Sequence, residues 1–253
     1  MIWHMKRLLV LFMLMSVPLF AQEYDDFAPD YDLDDYEEFQ EYGADEVREG
    51  TNDRVRIFDI SGVMLDMEME AVREAMKERK YALKDTENYI PEFFRFNYDA
   101  QCRARGILVP DALANCIDAL GKSEKMRYVS RLAFERPDTK EKIEIFFTSP
   151  LTKSRVWKID YRNDVDDKPG PSMNFQYQRE ERRRAFWFSV INKYGEPNVG
   201  QNRWVLDASN EFSPNLKAFF GRLILENQQM NLADAFEAQR EARRTFKFRE
   251  YTF

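Results

Sequence analysis

Between residues 54 and 253, stretches that alternate apolar and polar positions take turns with stretches of three-and-four spacing. The two periods predict strands and helices in an α+β arrangement. Residues 54–60 alternate charge with apolar side chains and read as a first strand or its lead-in, broken at Gly62. Residues 68–80 place Met69, Val72, Ala75 and Met76 on one face, with acids early and bases late, as a helix dipole favours. Residues 89–98 are aromatic-rich and contain Pro91, which predicts extended chain. Pro110 opens a helix that runs to Leu120. Three strands follow at 127–136, 142–148 and 155–161, with Pro137-Asp138 and Ser149-Pro150 in the turns; the last two read as antiparallel neighbours.

The polar, proline-containing stretch 163–171 predicts a linker. Beyond it, residues 178–193 form a helical pattern with a basic first half and an apolar stripe of Phe186, Val190 and Ile191. Tyr194-Gly195-Glu196-Pro197 then supplies a helix stop. Residues 203–207 and 216–226 read as a hairpin with Pro214 in its connection, and 231–245 as a closing helix. Helix followed by strands thus occurs twice. The expectation is a tandem of two related two-layer units, each a helix on an antiparallel sheet, at 54–162 and 178–253, with residues 163–177 between them.

The first 53 residues follow neither period. Lys6 and Arg7 precede an apolar run over 8–20 that ends at Ala21, the layout of a cleaved secretory signal at 1–21 and too short to span a bilayer. No cysteine follows it, which speaks against a lipid anchor. Residues 22–53 then hold fourteen acids and one base, a net of −13, while 54–253 carries a net of +4. Tyr24, Phe27, Tyr31, Leu33, Tyr36, Phe39 and Tyr42 are set among those acids. Such an arm is either solvated and disordered, or docks on a basic surface of this chain or of another protein. On this chain the basic surface is the cluster Arg179, Arg182, Arg183 and Arg184, whose bland reading is a solvated helix face. Asp30, Asp32, Asp34 and Glu41 match positions one, three, five and twelve of a calcium loop, but Asp35 stands where the turn needs glycine, so no metal is expected there. Asp164, Asp166 and Asp167 are a second acidic loop, expected to be solvated.

Export permits disulfides, and the chain has two cysteines, Cys102 and Cys116. A bridge would tie the Pro110 helix to the chain before it; two buried free thiols are the alternative. The single histidine, His4, lies in the signal, so the mature chain has no imidazole for Ser-His-Asp, Cys-His or His-zinc chemistry.

The stretch Gly62-Val63-Met64-Leu65-Asp66-Met67 leading into Glu70-Ala71-Val72, together with Lys193-Tyr194-Gly195-Glu196-Pro197 and Trp204, resembles the small bacterial envelope domains of the BamE type and the related β-lactamase-inhibitor-like domains. In that family a glycine-containing turn caps a helix that ends in a Leu-Gly-x-Pro stop before a Trp-containing strand. Here Asp66 stands for the turn glycine and Glu68 for the hydroxyl cap. The resemblance implies a periplasmic two-layer module that binds other proteins and catalyses nothing.

The expected function is therefore that of an exported, non-enzymatic envelope protein, periplasmic or secreted, without cofactor, working on another envelope protein by assembly or inhibition rather than on nucleic acid. Trp157, Trp187 and Trp204 are either interface anchors or, more commonly for such positions, core. The alternative is a cell-wall hydrolase built on two carboxylates about 5–10 Å apart across a cleft.

Overall fold

A computed structural model describes residues 50–163 and 173–245, with side chains in the last helix-led segment described from Tyr177. These residues belong to one unit, 44–253. The signal segment, the arm residues Tyr24 to Tyr42 with their calcium-loop match, and Asp164, Asp166 and Asp167 lie outside the described residues.

The chain enters at Thr51, which bridges Asp207, and Asn52, whose N–H donates to the Leu206 carbonyl at 3.0 Å. The end of the expected arm is thus already part of the body. A 3-10 turn at Asp53–Ile57 follows where a strand was expected over 54–60; only Asp59–Ile60 (β1) is extended, paired with Val63–Met64 (β2). Val55 is fully buried in that turn, so a three-residue period fits its core contact better than alternation does. The tight link between β1 and β2 needs positive φ at both Ser61 (+52°) and Gly62 (+79°). Asp66, where the resemblance has glycine, also sits in the left-handed region at φ +65°.

Helix α1 (Met69–Glu78) buries Val72 and Met76. Strand β3 (Ala82–Tyr89), not foreseen from the pattern, leads to α2 (Glu92–Ala104), which replaces the extended chain expected over 89–98. Phe94, Tyr98 and Cys102, four apart, are the buried stripe of α2, and Pro91 is its N-cap rather than a strand residue. Helix α3 (Pro110–Ser123) follows, then β4 (Tyr128–Glu135), β5 (Glu141–Phe147), a 3-10 turn at Pro150–Thr152 and β6 (Val156–Asn163). Helix α4 (Met173–Tyr194) ends at Gly195, φ +80°, whose N–H reaches the Ile191 carbonyl at 2.8 Å. The stretch 216–226 is two strands, not one: β8 (Asn215–Phe219) and β9 (Arg222–Glu226) turn at Phe220-Gly221, and β7 (Arg203–Val205) pairs with β8. Helix α5 (Gln228–Thr245) closes the described chain.

All the larger strands form one antiparallel seven-stranded sheet in the order β3-β4-β5-β6-β9-β8-β7. The two stretches expected as a tandem therefore share a sheet, joined where Lys158–Arg162 of β6 lies against Arg222–Glu226 of β9. Helices α1 and α4 cover one face. There Leu132, Phe134, Ile143, Ile145, Ile159, Leu216, Leu223 and Leu225 pack with Val72 and Met76 of α1 and Val190 and Tyr194 of α4. Trp204 is fully buried in this core and its Nε1–H donates to the Gly195 carbonyl at 2.9 Å, so the helix stop and the Trp strand are directly bonded.

A second, smaller core forms where α2, α3 and α5 meet: Phe94, Tyr98, Ala238 and Ala242, with Ile117, Leu120 and Leu151 packed against them. The Cys102–Cys116 bridge ties α2 to α3, with Cα atoms 6.2 Å apart. Asp234 pins α5 to the turn after β5, accepting from Ser149 N–H (2.9 Å), Ser149 Oγ (2.6 Å) and Thr152 Oγ1 (2.6 Å). A buried carboxylate with three donors is satisfied and geometrically specific.

The other face of the sheet is charged and cross-linked. Arg131 holds Asp85 (2.9 Å), Glu87 (2.9 Å) and Glu144 (2.7 Å) across three strands, and Asp160 takes Arg222 (2.9 and 2.5 Å) and Arg162 (3.4 and 3.3 Å). Asp160 is 4% exposed beneath its arginines. Burial pushes its carboxyl up, but the hydrogen bonds from Arg222 and Arg162 outweigh that and hold it below the usual carboxylate range.

Two outcomes follow from this packing. Reducing the Cys102–Cys116 bridge, whose partners are 14 residues apart, removes a loop constraint of about 3 kcal/mol and lowers the melting temperature by roughly 5–10 °C. A calorimetric scan with and without reductant measures it, and a shift under one degree refutes it. Because the folded Asp160 ionises at lower pH than the unfolded one, its stabilisation is present above about pH 4 and lost as pH falls below it. The Asp160→Asn protein shows a flatter acid limb in denaturant titrations over that range; identical acid limbs would contradict the assignment.

Candidate functional site

A cleft of about 470 Å³ opens on the helical face of the sheet, between the end of α1 and the end of α4. Its position follows from how each helix ends. After Glu78 the chain turns through Arg79 and the left-handed Lys80 (φ +62°), and Tyr81 N–H caps the Met76 carbonyl at 2.9 Å. Tyr81 is thereby thrown back over the sheet, where its hydroxyl donates to Glu141 Oε2 (2.8 Å) and sits 3.2 Å from Ser61 Oγ. Glu141 opens β5, and Tyr161 of β6 also lines the cleft. On the far wall, the Tyr194 hydroxyl donates to the Asp59 carbonyl (2.7 Å), and Lys193 Nζ bonds Asp59 Oδ2 (3.0 Å). Asp59 Oδ2 also accepts the Gly62 N–H at 2.8 Å, so the β1–β2 turn is bolted to α4.

The apolar lining is Ile60, Phe186, Val190 and Leu223. Burial pushes the three phenols up, Tyr81 to about 12 and Tyr161 and Tyr194 beyond that, so all stay protonated donors at neutral pH. Burial also pushes the Asp59 carboxyl up, but the Lys193 and Gly62 hydrogen bonds outweigh it and hold the group below its ordinary value. Among the described residues, no group of three or more His, Cys, Asp or Glu side chains is placed to hold a metal.

A second concavity of about 420 Å³ lies between α2 and α5, lined by Phe93, Phe96, Asn97, Gln239, Ala242, Glu92 and Arg243, with almost no polar surface. Phe96 is 72% exposed, Phe236 67% and Phe93 43%. Arg243 in this lining is exposed.

The residues singled out in the sequence lie elsewhere. Cys102 and Cys116 are bridged. Arg179, Arg182, Arg183 and Arg184 lie on the exposed first half of α4, with Arg183 Nη1 4.0 Å from Glu180. Trp204 is core, Trp187 stands edge-on to Phe186 at 5.6 Å, and Trp157 packs on Phe146 at 5.9 Å on the charged face of the sheet. Tyr81, Glu141, Tyr161 and Arg79 escaped sequence reasoning because residues from three separate segments, the link after α1, β5 and β6, meet in the cleft; the only local signal was Gly62. A Cβ there would come within 2.8 Å of Arg79 Nε, so the glycine lets that guanidinium lie across the turn.

Tyr81→Phe deletes the bond to Glu141 and leaves that carboxylate short of a donor, which costs about 2 kcal/mol. Urea unfolding followed by circular dichroism reads the loss, and an unchanged midpoint would show the bond to be idle.

No family model matches this chain, no curated protein matches its sequence, and no solved structure matches its fold.

Proposed function

We propose that this chain is an exported, non-enzymatic protein of the bacterial envelope, periplasmic or secreted, that works by binding another protein. The observation that carries the reading is Phe93 and Phe96 held in solvent in the groove between α2 and α5, with Phe236 of α5 exposed as well. Three large side chains at that exposure are costly in water, about 25 cal/mol for each Å² of apolar surface, and clustered exposed aromatics mark interaction surfaces. Both walls are stiff, α2 through the Cys102–Cys116 bridge and α5 through Asp234, so little order is lost on binding. Arg243 at the rim selects the partner's chemistry: an apolar segment flanked by Asp or Glu. The disulfide supports export, since such bridges persist in oxidising compartments, and the resemblance to BamE-type and β-lactamase-inhibitor-like domains supports a binding role in the envelope.

The test places a photo-crosslinking phenylalanine analogue at Phe96 in the full chain, in its own envelope. The expected result is one adduct whose attached peptide is apolar with acidic neighbours, reduced at least ten-fold by Phe236→Asp and by Arg243→Glu. No adduct, or one indifferent to both substitutions, overturns the reading. Export is checked on the same material: the chain begins at Gln22, and Cys102 and Cys116 resist alkylation until reduced.

A further inference from the structure

From the cleft between α1 and α4 we infer a second site, which binds a small amphiphilic anion: a carboxylate or phosphate head facing Arg79 and Lys80, with an aliphatic body on Ile60, Phe186, Val190 and Leu223. The volume of about 470 Å³ is within the range that small-molecule sites occupy, and its walls join an apolar floor to a few placed polar groups.

The sign of the head group follows from which charges are already spent. Lys193 is paired with Asp59 at 3.0 Å. Glu141 is engaged by Tyr81 at 2.8 Å and lies 3.7 Å from Arg136 Nη1. Tyr81 and Tyr194 donate to Glu141 and to the Asp59 carbonyl. What remains toward the opening is cationic. Arg79 lies across the β1–β2 turn, in the space that Gly62 leaves open; among the described residues it has no carboxylate within 4 Å, though its charge acts on Asp59, and Lys80 follows it in a left-handed conformation. Arg136 also lines the cleft, but it is paired with Asp138 (3.1 Å) and Glu141 (3.7 Å).

Two features oppose an anion, and both are outweighed. Glu78 lines the opening but is exposed on the last turn of α1. The carbonyl ends of α1 and α4 both reach the cleft, each worth about half a negative charge, yet the α1 end is closed by the N–H groups of Arg79, Lys80 and Tyr81 and the α4 end by that of Gly195. The head group therefore meets the Arg79 guanidinium and the Lys80 ammonium, while the body lies on the apolar lining of the cleft. Octanoate and octyl phosphate share this chemistry and differ in the head.

Isothermal titration of the full mature protein, disulfide intact, tests the site with four probes: octanoate, octyl phosphate, octanol and inorganic phosphate. The expected result is one-to-one binding of octanoate or octyl phosphate, at least ten-fold tighter than octanol or inorganic phosphate; the better of the two identifies the head. Arg79→Ala and Lys80→Ala, both at exposed positions, each weaken it at least five-fold, and Ser189→Trp, which fills the cleft from α4, abolishes it. Phe96→Asp leaves it unchanged, which separates this site from the groove between α2 and α5. Equal affinity for octanol and octanoate, no binding of either anion, or binding that survives Ser189→Trp overturns the inference.

Discussion

The antiparallel pairing of β6 with β9 is the contact on which the rest of the fold depends. It joins two stretches of chain that each have a helix and a short meander, and neither stretch alone makes a sheet wide enough to bury both helices. Because side chains alternate along each strand, the register Ile159 opposite Leu225 and Tyr161 opposite Leu223 puts both strands' apolar residues on the side where α1 and α4 lie. The same register sends Asp160 and Arg222 to the other side, where they bond. A slip by one residue would bury the charges and expose the core of both halves together.

The cleft is a consequence of that arrangement. Two helices on one sheet, each ended by a left-handed residue, leave a gap where their carbonyl ends approach. The gap is filled from below by phenols of β3's lead-in and β6, and from the side by the β1–β2 turn. Tyr81 and Tyr194 are each tied to a neighbouring element by one hydroxyl bond, so the walls are positioned by hydrogen bonds rather than by tight packing. The lobe of α2, α3 and α5 is built differently. Its apolar core is small, and a disulfide and the Asp234 network contribute the stiffness that core area does not.

The elements that the pattern missed are the ones whose environment breaks the usual correspondence between burial and period. Strand β3 is exposed along its whole length and full of charge, so no alternation marks it; it is a strand because its backbone pairs with β4 and Arg131 reaches over to Asp85 and Glu87. Helix α2 was hidden by a cluster of aromatics that suits a strand as well as a helix, and only the four-residue spacing of Phe94, Tyr98 and Cys102 tells them apart. The turn at Phe220-Gly221 lies inside what reads as one apolar run, and the single glycine, at φ +73°, is the cue.

Helices α1, α3, α4 and α5, the meander of β4, β5 and β6, the helix stop at Gly195 and the α+β class were legible locally, because each rests on periodicity or on a residue whose backbone preference acts at its own position. Cys102 and Cys116 were legible as a pair because no other cysteine competes. The single sheet, the open charged face, the cleft and the exposed phenylalanines of α2 and α5 were decided only in three dimensions. They depend on which strands pair and on which side chains from distant segments meet. A sequence pattern states that a residue is to be buried or paired; it does not state against what.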